Sequence, residues 1–272
     1  MTDYKKPFLR WAGGKHSQLR QILPLLPSGS RLIEPFVGAG SVFMNAGFSD
    51  VLINDLNPHL AWTYRALVSI GQDFIDKARY LHSWVDSEAN YRELVREFNS
   101  GKYSEESMGI FFSVINRACF NGLCRYNQNK EFNVPWGQRV TPYFPQKEME
   151  DFTTLNQNIK VMNADFKSVF KLVRSGDVVF CDPPYEPLPG KPGFTTYTGN
   201  SFTLDHQTSL VECAVEAHKR GAKVMITNSS APKLITLYKA AGFELHPLIA
   251  RRRMAANADS RHDANDIIAI LK

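Results

Sequence analysis

The stretch "DVVFCDPPYE" at 177–186 runs from apolar residues into an acid, two prolines and a tyrosine. Proline gives no N–H to a sheet ladder, so a core strand has to stop at this corner. With no amide donor at Pro183 or Pro184, the turn presents acceptors: the Asp182 carboxylate and the Pro183 carbonyl. Two acceptors beside the Tyr185 ring suit a planar ring bearing an exocyclic NH2, held by both N–H bonds while the tyrosine stacks on it. The prolines pre-set the backbone, so little entropy is lost on binding. The plain alternative is a rigid Asp-Pro turn with a packing tyrosine.

A second group stands upstream. "LIEPFVGAGSVF" puts a strand before Gly38 and Gly40 and predicts a helix after them. Glycines there let the backbone approach a ligand, and the helix would offer its N-terminus. The dinucleotide fingerprint wants a third small residue, and Phe43 stands there, so a nicotinamide cofactor is disfavoured while a nucleoside is not. The next strand, "VLINDLN", ends on Asp55. An acid in that place either takes both ribose hydroxyls of an adenosine-type ligand or caps a helix. "WAGGKHSQL" at 11–19 is no phosphate loop, because Leu9 and His16 occupy positions that need Gly and Ser or Thr.

Elements that could hold these groups are visible as short Val- and Ile-rich runs. "RLIEPF", "VLINDL", "IKVMNAD", "DVVFCD", "AKVMITN" and the final "DIIAIL" read as buried strands. Helical patterns lie between them. In "QTSLVECAVEAHKRG", Leu210, Cys213, Ala214 and Ala217 share a face and Gly221 is a stop; another follows at 232–242. The alternation predicts an α/β fold with a doubly wound sheet. Residues 57–144 break the rhythm: three helical stretches, then a loop or hairpin region, "NGLCRYNQNKEFNVPWGQRVTPYFP". They read as a mostly helical inserted domain, with 1–56 and 145–272 forming the sheet domain.

Composition is that of a soluble globular chain, with 43% hydrophobic and 22% charged residues and a formal charge of +5. No apolar run is long enough to span a membrane, and the first residues lack the apolar core of a secretory signal, so a cytoplasmic protein is expected. Cys119, Cys124, Cys181 and Cys213 form no C-x-x-C pair; reduced thiols rather than a metal site are expected. Arg251, Arg252, Arg253 and Arg261 cluster near the C-terminus, and Arg117, Arg125, Lys130 and Arg139 fall among aromatics and amides in the middle segment. That interleaving suits nucleic acid.

Taken together and in order, "FLRWAGGK", "EPFVGAGSVF", "NGLCRYN", "EFNVPWG" and "CDPPY" resemble the Dam family of DNA adenine-N6 methyltransferases, which act in GATC. The resemblance spans nearly the whole chain, in the alpha arrangement of amino-methyltransferases. It implies a Rossmann-like methyltransferase sheet with an inserted target-recognition domain and hairpin, S-adenosyl-L-methionine as cofactor, and double-stranded DNA as substrate, with no obligate protein partner. Trp11, Lys15, Asp55 and Asp182 match cofactor positions, Phe36, Gly38 and Gly40 the loop around the cofactor, and Asp165 and Phe166 the contacts to its adenine. Asp182, Pro183, Pro184 and Tyr185 match the catalytic motif, which implies a flipped-out base gripped at its amine and a methyl moved in line to N6. Phe120 and Asn121 match residues that enter the duplex, Leu123 and Pro135 contacts to a thymine methyl, and Arg125 an arginine that reads guanine. Arg10 stands where the family carries a lysine that helps to read the first guanine. One departure is Gln138-Arg139, where the family commonly has Arg then Tyr; Arg139 either replaces the lost charge or reads the outer guanine. An N4-cytosine or RNA amino-methyltransferase is the alternative in the same reaction class.

A guanidinium can grip guanine O6 and N7 together, so Arg125→Ala is expected to cost about 1–3 kcal/mol of binding and to relax discrimination at one guanine. Methylation of duplexes with single base changes measures this; an unchanged preference would remove the assignment.

Overall fold

The structure is a computed structural model and describes residues 3–138, 142–185, 202–250 and 264–272. Arg139 and the Arg251, Arg252, Arg253 and Arg261 cluster lie outside the described residues.

Among the described residues seven strands form one sheet: β1 Arg31–Glu34, β2 Asp50–Asn54, β3 Asn158–Met162, β4 Asp177–Cys181, β5 Lys223–Ser229, β6 Glu244–Ala250 and β7 Ala264–Leu271. Their order is β3-β2-β1-β4-β5-β7-β6. The pairs from β3 through β5 are parallel, and β7 runs antiparallel to both its neighbours. The strand runs of the sequence are all present. β6 was not among them: "ELHPLIA" carries a proline and alternates poorly, and it lies at the sheet edge, where proline is tolerated.

The central strands are apolar on both faces because both faces are covered. In β4, Val178 and Phe180 enter one core cluster while Val179 and Cys181 enter another. The second core lies under α6 Phe166–Phe170, α7 Leu204–Lys219 and α8 Pro232–Ala240. The first lies under the N-terminal segment with its short α1 Leu19–Ile22, and under α2 Pro58–Trp84, α4 Glu105–Ala118 and α5 Gln146–Thr153. This covering of both faces is the doubly wound arrangement the alternation predicts.

The segment 57–144 supplies α2, α3 Glu88–Asn99 and α4, and a loop region pinned by the antiparallel bridges Cys119–Trp136 and Tyr126–Phe132. The long helical run is divided at Gly71, whose φ of 47° leaves the helical region. Tyr64 of α2 stacks with Phe152 at 5.9 Å and meets Phe8 and Phe43 edge-on. Helix α2 thus shares a core with the sheet. The N-terminal segment is tied to α4: Asn116 exchanges two 2.8 Å bonds with the backbone of Arg10, and the buried Arg117 guanidinium donates to the Phe8 carbonyl.

The helix expected after the glycine loop does not form. Residues 41–46 make only turns, through Met44 N to Gly40 O at 3.3 Å and Asn45 N to Val42 O at 2.9 Å. Gly40 and Gly47 both take positive φ, which leaves room for under two helical turns between them. The Asn45 side chain is committed instead to the Lys5 backbone.

A Cβ on Gly40 would lie 2.5 Å from Phe43 Cε1 and 2.8 Å from the Tyr64 hydroxyl, at a φ of +76°. Gly40→Ala is therefore expected to destabilise the fold by about 1–3 kcal/mol. Urea unfolding should show a lower midpoint at an unchanged slope.

Candidate active site

The sheet reverses its winding between β1 and β4, and ligands of open α/β sheets bind outside the carboxyl ends of strands at that switch. The loop 35–40 leaves β1 there, and the corner 182–185 leaves β4. Adjacent parallel strands thus bring the two motifs together although they stand far apart in sequence.

Asp182 is fixed on both carboxylate oxygens. Thr227 Oγ1 donates to Oδ1 at 2.8 Å, and Lys15 Nζ pairs with Oδ2 at 2.6 Å. Lys15 is 6% exposed and also donates to the Gly13 carbonyl at 2.7 Å. Its ammonium stands 5.0 Å from the Tyr185 ring centroid. The Tyr185 hydroxyl faces Thr227 and Asp266, and burial together with the Asp182 charge pushes it well above the ordinary phenol range. The corner is braced from behind: Gln207 Nε2 donates to the Pro184 carbonyl at 3.2 Å, and Asn228 Nδ2 holds Gln207 Oε1 at 2.9 Å.

Asp55 is half-buried and does not cap α2. Asn57 is the cap, and Asp55 accepts from Asn57 N at 2.9 Å and Gly38 N at 3.2 Å. Burial raises its carboxyl to about 6, against those backbone N–H groups, which lower it. Above that pH it is an ionised acceptor. Gly38, at a φ of +49°, lies so close to Trp11 that a Cβ would be 2.9 Å from the indole Cδ1. The Gly38 carbonyl accepts from the Tyr64 hydroxyl at 2.9 Å, which locks the loop to α2.

Phe36, Phe166 and Phe202 form an aromatic cluster at the same sheet end, with centroids 5.5 to 5.9 Å apart. Phe166 is only 4% exposed, whereas Phe36 is half-buried. Asp165 is exposed and caps α6 by accepting from Lys167 N at 2.9 Å.

Arg10 continues from Trp11 to the loop after α4, where a Cβ on Gly122 would strike its side chain. Phe120 is 48% exposed although large and apolar, and Asn121 beside it adopts a φ of 55°. Leu123 is half-buried, and Pro135 and Arg125 are exposed. The Arg125 guanidinium rests on Asn133 through two bonds, of 2.8 and 3.0 Å.

Four contributors escaped the sequence reading. Glu34 is 2% exposed at the end of β1, and burial, with the charge of Asp182, holds its carboxyl well above the usual range. An acid inside the apolar "LIEPF" was the available signal. Gln207 on the apolar face of α7 was another, being fully buried. Thr227 and Phe202 left none, since only the fold carries them to Asp182 and Phe36.

A switch-point crevice that offers oriented acceptors and aromatic surface, with no phosphate loop, marks a Rossmann-like methyltransferase. The family model of the D12 class N6 adenine-specific DNA methyltransferases matches residues 11–254, and the chain belongs to that family. It is similar to the "DNA adenine methylase" of Vibrio cholerae, 38% identical over 98% of this chain and 96% of that protein. The protein of the same name in Escherichia coli K12 is 36% identical over 98% and 95%. The "DNA N-6-adenine-methyltransferase" of Escherichia phage P1 is 44% identical, and the chain spans 36% of its length. Enzymes of this class take a methyl group from a donor cofactor to DNA. No helix among the described residues is long and apolar enough to cross a membrane.

The raised carboxyl of Asp55 has a testable consequence for stability. A folded pKa of about 6 against 3.8 unfolded favours the protonated form. Its contribution is full below about pH 4 and lost as pH rises through about 6. Measured against Asp55→Asn, the wild type should therefore lose about 2 kcal/mol of unfolding free energy between pH 4 and pH 7, less than the full linkage value because the group is partly solvated. Paired urea titrations across that range check the sign.

Proposed function

We propose that the protein transfers the methyl group of S-adenosyl-L-methionine to N6 of an adenine turned out of double-stranded DNA, in GATC, in the cytoplasm and without an obligate protein partner. The observation that carries this reading is the Asp182 corner. Its carboxylate is oriented by Thr227 and Lys15, while Gln207 occupies the Pro184 carbonyl and leaves that of Pro183 as the acceptor for the second N–H.

The residues fit the cofactor. Trp11 and Gly38 touch with no room for a Cβ, Gly40 shapes the same loop, and Asp55 is an ionised acceptor at neutral pH, suited to a ribose diol. Phe36 offers aromatic surface for the adenine, backed by Phe166, with Asp165 at the rim. Bound there, S-adenosyl-L-methionine would supply a methyl group on a sulfonium, an electrophile that needs no acid to activate it.

The adenine amine is a weak nucleophile because its lone pair is delocalised into the ring. Asp182 has acceptor capacity beyond its bonds to Thr227 and Lys15, so it can take one N6–H while the Pro183 carbonyl takes the other. Two acceptors set this way favour a pyramidal nitrogen and free the lone pair. Tyr185, whose ring lies 5.0 Å from the Lys15 ammonium, is the platform for the base. Burial and the nearby Asp182 charge both raise the Glu34 carboxyl above its usual range, which disfavours a second negative charge near Asp182. The proton leaving N6 after transfer passes by way of Asp182. Most of the acceleration is positioning and fixed electrostatics.

On the DNA side, the exposed Phe120 and Asn121 would enter the duplex, and Arg10, Leu123, Arg125, Pro135 and Arg139 would read the bases. The two bonds that the Arg125 guanidinium donates to Asn133 fix its orientation, which suits a two-atom grip on guanine. The two separate sequence segments 1–56 and 145–272 would then act as the catalytic part and 57–144 as the target-recognition part.

Sequencing DNA exposed to the protein and S-adenosyl-L-methionine should show N6-methyladenine in one context. A methyl on cytosine N4, or on RNA alone, would overturn the reading. Asp182→Ala should abolish transfer while the variant keeps its folded circular dichroism; turnover near wild type would end the mechanism.

A further inference from the structure

The hairpin that carries Arg125 is not independent of the crevice that contains Asp55. Asn57, 1% exposed, lies between them. Its backbone N–H donates to Asp55 Oδ1 at 2.9 Å, and its side-chain oxygen caps α2 by accepting from His59 N at 3.0 Å. Its side-chain amide then donates to the Tyr126 hydroxyl at 3.3 Å and lies 3.4 Å from Cys124 Sγ.

The Tyr126 hydroxyl is also 2.7 Å from His59 Nδ1. Burial lowers His59 to about 4, so the imidazole is neutral near pH 7. A neutral Nδ1 can accept, which lets Tyr126 accept from Asn57 and donate to His59 at once. The His59 ring lies against Tyr126 at 5.4 Å and is wedged by Phe98 and Phe112, so it cannot drift away.

At its other end Tyr126 belongs to the hairpin. It bridges Phe132 across the two arms, Arg125 precedes it, and the Arg125 guanidinium rests on Asn133, next to Phe132. One buried amide and one phenol therefore separate the residue assigned to guanine from the residue assigned to the ribose. Phenylalanine would fill the same space, so packing alone does not ask for the hydroxyl. Displacing the hairpin foot would stretch the bonds to Asn57 and turn the N–H that holds Asp55.

We propose that Tyr126 is a specificity-determining relay: seating of the Arg125 hairpin on its target and filling of the Asp55 crevice strengthen each other through Tyr126 and Asn57. The inference rests on the cofactor and DNA assignments made under Proposed function. Such coupling is reciprocal, so each ligand must raise the affinity of the other by the same factor.

The test is calorimetry on the full chain with S-adenosylhomocysteine as probe, alone and with a duplex holding the methylated site or the same duplex with one guanine changed. The wild type is expected to bind the probe at least about fivefold tighter on the target duplex than alone, and to lose this on the altered one. Tyr126→Phe should bind each ligand singly within about twofold of wild type, with the coupling factor below about two and a narrower kcat/KM ratio between the two duplexes. Asn57→Ser keeps a helix-capping oxygen but removes the amide, and should lose the coupling too. A purely structural role would lower the Tm of these variants and leave the coupling factor intact, which overturns the relay. So would a wild type that binds both ligands independently. Failure to bind either ligand would instead sink the functional assignment itself.

Discussion

Asp182 is held by two side chains that the chain delivers from opposite directions. Lys15 comes from the N-terminal segment and Thr227 from β5, and the carboxylate belongs to the end of β4. An acid in a crevice is free to point anywhere unless something selects its rotamer, and here each oxygen has its own partner. The rest of the site is arranged around that clamp. Tyr185 lies under the same ammonium, Pro184 is tethered by Gln207, and the Asp182 charge, with burial, raises the Glu34 carboxyl. Since only the sheet order β1-β4-β5 brings these partners together, the chemistry and the topology cannot be separated.

The same economy links reading to chemistry. Helix α2 begins three residues after Asp55, gives Tyr64 to the glycine loop and to the aromatic core, and gives His59 to the hairpin. The N-terminal segment does likewise on the other side: Trp11 packs on Gly38, and Arg10, its neighbour, packs on Gly122. At this joint, residues that would touch cofactor and DNA are adjacent in sequence. Any movement of the hairpin is transmitted through short, buried, directional contacts, which couple sites more tightly than a flexible linker could.

Much of this was legible in the residues. Val- and Ile-rich runs located six of the seven strands because strands buried on both faces have no polar positions to spare. The DPPY corner announced itself because proline carries its conformational consequence wherever it stands. The glycine loop was equally plain, but the helix after it was not, since nothing local reveals that Asn45 is spent on Lys5 or that Gly47 closes the turn. Asp55 shows the same limit: the sequence left it either a cap or a ligand acceptor, and Asn57 took the cap.

By itself, then, the sequence determined the fold class, the acceptor corner and the family, because each of these depends on residue type and short-range spacing. Tertiary structure alone decided which groups face Asp182. Thr227 is ordinary in its own segment, and Gln207 and Glu34 stand out there only as polar residues in apolar surroundings; all three acquire a role only where parallel strands and a crossover helix set their side chains within hydrogen-bonding or Coulombic reach of one carboxylate and its turn. Hydrogen bonds act over about 3 Å and with fixed direction. No local pattern encodes such a distance between residues that the chain separates by dozens of positions.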